Sequence, residues 1–327
     1  MKKLLITLAL CMLTINASAQ GLLSGLLGSS EPKGPKFKFV EGDYNAKEEI
    51  LYLKINGVIQ ENEEDDSPMS ALKQKKSILD KMKEDLSLAA KRDAVKAVYL
   101  EINSPGGEVT TSDLLYHMLK LFQEETKKPV VAHITAMGAS GAYYTACGCK
   151  KIYALPTSMI GSIGVLLQAM NVEELANKLG IKAVTIKSDK TPMKDVLSPF
   201  RQSTEEEKAM LLELVETSYQ RFVDIVSENR KLNRDDVIKA ANGSVYTAQK
   251  AQKLGLVDGI GYREEVMDEI CKMLEIKSAA LVKKSEEKNP LSELLGALSE
   301  QSSDIRPILN SFVKQLMVGS QPVLMFR

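Results

Sequence analysis

Histidine is scarce in this chain, with two among 327 residues, and neither is placed for chemistry. His117 falls inside a helical stretch and His133 inside a buried strand, so any base must be sought elsewhere. Cysteine is nearly as rare. Cys11 lies in an N-terminal apolar run, leaving Cys147, Cys149 and Cys271, too few for a disulfide framework. Cys147 and Cys149 are two residues apart, but with no second pair and so little histidine a zinc site is not expected. They read as small buried residues at the end of a helix. Charge of one sign is missing too: 43 Lys and Arg balance 43 Asp and Glu. Without a basic excess to neutralise phosphates, nucleic acid is excluded as a partner.

Long apolar runs are also absent. Lys2 and Lys3 precede an apolar stretch from Leu4 to Ile15, and Ala17-Ser18-Ala19 offers small residues for cleavage. The stretch is too short to span a bilayer comfortably, and its layout is that of a secretory signal. Residues 1–19 are therefore expected to be a signal peptide and 20–46 a Gly-, Ser- and Pro-containing linker. A lipoprotein signal using Cys11, which would follow the large Leu10 and cut the apolar run short, and an uncleaved anchor are the competing readings. Export then places the protein in the periplasm or at the outer face of the cytoplasmic membrane.

Composition from there on is that of a globular protein, 44% hydrophobic and 26% charged. Strand and helix patterns alternate between residues 50 and 274. Strands are expected at Ile50–Val58, Val95–Ile102, Pro129–Ile134, Ile152–Ala154, Ile163–Leu167 and Ala183–Ile186. Helices are expected at 70–90, 112–125 (capped by Thr110, Thr111 or Ser112) and 139–149, then over most of 204–274. Such alternation predicts an α/β fold with mainly parallel sheets and covering helices. A domain over 47–275 and a tail over 276–327 follow, the tail mixing charge with short apolar clusters.

Four segments place unusual residues at strand ends or helix starts, where sites are built. Asn103-Ser104-Pro105-Gly106-Gly107 is turn chemistry, although paired glycines also let backbone N–H groups face a developing oxyanion. Gly138-Ala139-Ser140-Gly141-Ala142-Tyr143-Tyr144 sets a serine among small residues at a strand-to-helix turn. Alone, that serine reads more readily as a helix cap than as a nucleophile. Gly161-Ser162-Ile163-Gly164 and the lysine-bearing loop 187–195 complete the set. A serine without histidine points to a lysine base. The lysine must be neutral to act, so its pKa has to fall from about 10.4 toward roughly 7–8, about 4 kcal/mol against the ammonium. Burial under a bound peptide or a subunit interface would supply this.

In order and spacing, INSPGG, ASGAYY, GSIGV, KDVLSP and NGSVYTAQKAQKLGLVD resemble the half-length peptidases of the signal peptide peptidase A family. The resemblance runs from about Ile50 to Met273 and implies a Clp/crotonase-like fold. It also implies Ser140 as nucleophile, Lys194 as general base and Ser162 as the serine orienting the lysine. Gly107, with Gly141, would give the oxyanion-hole N–H donors. No cofactor or metal is implied. The implied substrates are remnant signal peptides and other apolar or unfolded peptides. The implied assembly is a homo-oligomeric ring, often an octamer, at the membrane surface. Two departures from the family pattern stand out. Ala142 replaces a usual glycine, and the loop before Lys194 is two residues longer, which makes Lys187 and Lys190 rival bases. Two other functions compete: a crotonase-type acyl-CoA enzyme, which an exported protein would not supply with coenzyme A, and a catalytically inactive envelope scaffold of the same fold.

Overall fold

A computed structural model describes residues 36–61 and 76–285. The expected signal peptide, most of the linker, most of the acidic loop and the chain beyond 285 lie outside these residues. Residues 39–283 form one compact unit. Residues 36–38, 284 and 285 group in a second, where the Ser285 N–H donates to the Lys36 carbonyl.

The described strands form one sheet in the order β1 (Phe37–Gly42), β9 (Ala280–Lys284), β2 (Glu49–Asn56), β3 (Val95–Ser104), β4 (Val130–Ala139), β5 (Lys151–Ala154), β8 (Gly259–Ile260). Pairing is parallel from β9 through β8. β3 is buried along nearly its whole length, as befits a strand covered on both faces. Its helix neighbours follow the apolar spacing of the sequence. α1 (Ile78–Lys91) is capped by the Ser77 hydroxyl, which accepts from the Asp80 N–H. α2 (Val109–Thr126) buries Ser112, Leu115, Leu119 and Phe122, one face at helical spacing. It begins before the expected caps. Glu108 is the N-cap, and Thr111 and Ser112 sit in the first turn and hydrogen bond back to Glu108.

β4 positions the site. Its first half pairs with β5 (Val131↔Lys151 to Ile134↔Ala154). Its last three residues leave β5 and pair instead with β6 (Met159–Gly161). The β3–β4 register shifts at the same level, between Ile102 and Ser104. β3 and β4 pair again beyond the shift, at Ser104↔Gly138, and the chain then enters α3 (Gly141–Ala146). β6 pairs antiparallel with β7 (Val245–Thr247). The remaining helices are α4 (Glu173–Lys178), α5 (Glu205–Arg230), α6 (Arg234–Ala240), α7 (Ala248–Lys253) and α8 (Arg263–Met273).

Two expected strands are not formed. Residues 163–167 and 183–186 have no sheet partner among the described residues. Apolar alternation marks a segment able to pair, but pairing also needs a partner strand, and neither segment has one among the described residues. Conversely, β1 and β9 lie in stretches read from sequence as linker and tail.

Candidate active site

Ser140 lies where β4 ends and α3 begins, with φ +53° and ψ −126°. A non-glycine residue rarely holds this backbone, which stores of order 1–3 kcal/mol and gathers at functional turns. What imposes it is visible. The Ser140 N–H donates to the Gly161 carbonyl at 2.8 Å, its own carbonyl accepts the first α3 bond from Tyr144, and Gly138 is pressed on Ile134. The Ser140 hydroxyl does not cap the helix and makes no hydrogen bond among the described residues. It is half-buried and free to react.

Gly106 packs directly against it, and Gly107 packs against Ile59. A Cβ on Gly106 would lie 2.6 Å from the Gly141 nitrogen and 2.8 Å from Ser140 Cβ, and one on Gly107 would lie 1.9 Å from the Ile59 carbonyl oxygen. Only glycine permits either approach. Gly107 forms an isolated parallel bridge to Ile59. The Ile59 N–H donates to the Gly106 carbonyl, and the Glu108 N–H donates to the Ile59 carbonyl. In that pattern the Gly107 N–H points away from Ile59. Gly141 is the first residue of α3, so its N–H has no helical acceptor. Neither N–H donates a hydrogen bond among the described residues. They stand close together, since a Cβ on Gly141 would be 3.2 Å from the Gly107 nitrogen. Two free donors beside a free hydroxyl are the parts of an oxyanion hole.

α3 is held rigidly. Its residues are buried throughout, the Tyr143 hydroxyl donates to the Leu256 carbonyl at 2.7 Å, and the Tyr144 hydroxyl donates to Asp113, itself paired with Arg221 of α5. The methyl of Ala142, the departure from the family pattern, is fully buried. Cys147 and Cys149 follow, buried and free, and burial raises the Cys147 thiol to about 12, so it stays protonated. His133, expected to be structural, is. Its Nε2 faces the Gly261 carbonyl and must carry the proton, so Nδ1 accepts from the Tyr99 hydroxyl at 2.5 Å.

Ser162 has φ +48° and donates its N–H to the Ser244 carbonyl at 2.7 Å. Lys194 lies on a single 3-10 turn, Pro192–Asp195, and is exposed. Its Nζ makes no hydrogen bond or ion pair among the described residues, so within one chain nothing ties it to Ser140 or Ser162. Of its rivals, Lys187 is engaged: its Nζ donates to the Pro192 carbonyl at 2.6 Å and pairs with Asp195. Lys190 is exposed. Sequence reasoning missed Arg201, which bridges Asp195 and Glu207, and Glu207 itself, although Thr204-x-x-Glu207 carries the signature of a helix start.

Residues 123–277 match peptidase family S49. A protein assigned as a signal peptide peptidase in Enterococcus faecium is 32% identical over 268 residues, 82% of this chain and 74% of that protein. The chain belongs to peptidase family S49. A protease of Methanocaldococcus jannaschii is 39% identical over 199 residues, 61% of this chain. The shared stretch is 63% of that relative's length, less than two thirds. Protease 4 of Haemophilus influenzae is 29% identical over 225 residues, 69% of this chain and 35% of that protein. The S49 match takes in Ser140, Ser162 and Lys194, and the sheet and helix order is the α/β arrangement expected of the Clp/crotonase-like fold.

Proposed function

We propose that this S49 chain is an exported serine endopeptidase with a Ser140–Lys194 dyad. It degrades remnant signal peptides and other apolar or unfolded peptides at the membrane. The observation that carries the reading is Ser140, a strained residue with an unbonded hydroxyl beside the unpaired N–H groups of Gly107 and Gly141. Neutral Lys194 takes the Ser140 hydroxyl proton as the oxygen attacks the peptide carbonyl. The two N–H groups hold the resulting oxyanion, and Ser162 orients the lysine. The ammonium then protonates the departing amine, and water, deprotonated by the same lysine, releases the acyl group.

In one chain Lys194 is exposed, whereas a general base has to be neutral to act. Desolvation has to come from assembly or from the bound peptide. The segment leading to Lys194 supports assembly, since Leu166, Met170, Val184 and Ile186 are 77% to 94% exposed. Apolar surface of this kind marks an interaction face. A homo-oligomeric ring whose subunits cover this segment supplies the missing partner.

The test is cleavage of a synthetic apolar signal peptide by the protein and by its Ser140→Ala and Lys194→Ala variants. Both variants are expected to lose at least about a thousandfold in kcat/KM with folding and assembly intact. Activity surviving Ser140→Ala would sink the mechanism, and a wild type inert on a range of peptides would favour the inactive scaffold.

A further inference from the structure

The turn that carries Lys194 contains a chemical conflict. Asp195 follows the lysine directly, and a carboxylate within about 4–6 Å of an amine favours the ammonium. A general base needs the opposite. A carboxylate of Asp195 turned toward the amine would therefore oppose the role proposed for Lys194.

The structure shows where that carboxylate is directed. Asp195 Oδ1 accepts from Arg201 Nη2 at 2.8 Å and from Lys187 Nζ, and Oδ2 accepts from Arg201 Nε at 3.0 Å. Arg201 Nη2 also donates to the Asp195 carbonyl at 3.1 Å, fixing the turn's backbone. The other side of the guanidinium grips Glu207, with Nη1 donating to Oε2 at 2.8 Å and Nη2 to Oε1. Glu207 is in turn immobile. Its side chain is almost fully buried, and it closes the capping box of α5 with Thr204. Both Asp195 oxygens are thus occupied, and Lys194 is not among their partners. Two cations and two carboxylates make the cluster neutral. Asp195 is held well below the usual carboxylate range, chiefly by its hydrogen bonds from Arg201 and then Lys187. The other charged groups around the turn are Asp189 and Lys190 before it and Glu205 and Glu206 at the start of α5, all exposed.

We propose that Arg201 is a positioning residue that, with Lys187, withholds the Asp195 carboxylate from Lys194 and leaves the amine able to give up its proton. This rests on Lys194 being the base. It also assigns a job to the rival Lys187: it serves the base without being one.

The decisive experiment reads Lys194 without relying on turnover. Competitive acetylation of the full assembled protein across pH, quantified by mass spectrometry, gives the protonation midpoint of Lys194. It would be applied to wild type, Arg201→Gln, Arg201→Lys, Asp195→Asn and Arg201→Gln/Asp195→Asn, with the pH profile of kcat/KM on the apolar peptide measured in parallel. Arg201→Gln frees Oδ2, leaves Oδ1 to Lys187 alone, and is expected to raise the midpoint, and the acid limb of the rate profile with it, by about one pH unit. Adding Asp195→Asn should bring both back, and Arg201→Lys should lie between. A disturbed loop would instead lower the rate at all pH values without moving either, and Asp195→Asn would not restore it. A Lys194 midpoint unchanged in Arg201→Gln overturns the proposal. Failure of the dyad shows separately, as a Lys194→Ala variant that still cleaves peptide.

Discussion

Six non-glycine residues among those described have φ between 48° and 65°. Lys127 and Lys231 end α2 and α5 as left-handed caps, and Glu275 follows the last turn of α8, so each has an ordinary helical reason. Ser140, Ser162 and Leu197 have none, and two of these three are the serines on which the proposed chemistry rests. Their strain was not legible in the sequence, because the Gly-x-Ser-Gly string at Ser140 fits an N-cap equally well and the Gly-Ser-x-Gly string at Ser162 fits a turn entering a strand. What decides is the backbone angle together with the bare hydroxyl. A stability prediction follows from that angle. Ser140→Gly relieves of order 1–3 kcal/mol of strain and loses roughly 0.5–1 to the freedom glycine has when unfolded, leaving a gain of about 1 kcal/mol. Ser140→Ala keeps the strain and should unfold like wild type. Both are inactive, so urea unfolding isolates the backbone effect. A Ser140→Gly protein no more stable than Ser140→Ala would show that the turn is unstrained.

At the scale of elements, β2, β3, β4 and the long helices were legible because each carries a sustained period. β6, β7 and β8 were not, since two or three residues hold no period, and each is fixed by a neighbour: β6 by the end of β4, β8 by β5 and β7 by β6. The β3–β4 seam also shows why a histidine in a strand is not automatically a base. His133 is buried between the Tyr99 hydroxyl and the Gly261 carbonyl, and that arrangement is satisfied only by the neutral ring. Burial pulls its pKa below the usual histidine value. The unfolded chain therefore takes up the proton first as pH falls, so stability is full above about pH 6.5 and declines below it, by at most about 1.4 kcal/mol per pH unit. Urea unfolding between pH 7.5 and 5.5 should show this decline, and His133→Gln should flatten it. A slope that survives the substitution would assign the proton to another group.

The whole molecule poses a question that no single element answers. α5 is 26 residues and about 39 Å long, yet apart from Glu207 the buried residues it contributes come from Phe222 onward. Its first half leaves Leu212 and Leu214 exposed, close in sequence to Leu197 and Phe200, which are also exposed. Together with Leu166, Met170, Val184 and Ile186 they make the stretch from 166 to 214 far more apolar on its surface than an isolated soluble chain needs to be. The sequence expectation of strands at 163–167 and 183–186 has the same physical content: these segments are composed to be covered, and one chain does not cover them. On the proposed reading a second copy covers them and desolvates Lys194 as well, so assembly and activity should fail together. Covering Val184 and Ile186 is worth about 3–6 kcal/mol for the pair, and replacing both by glutamate forfeits at least the lower figure, more than a hundredfold in association. The Val184→Glu/Ile186→Glu protein is expected to sediment as a smaller species with unchanged circular dichroism and to lose peptide cleavage by at least about tenfold. Wild-type mass with wild-type activity would mean that something other than this chain covers the segment, and the lysine would then need the substrate itself to strip its water.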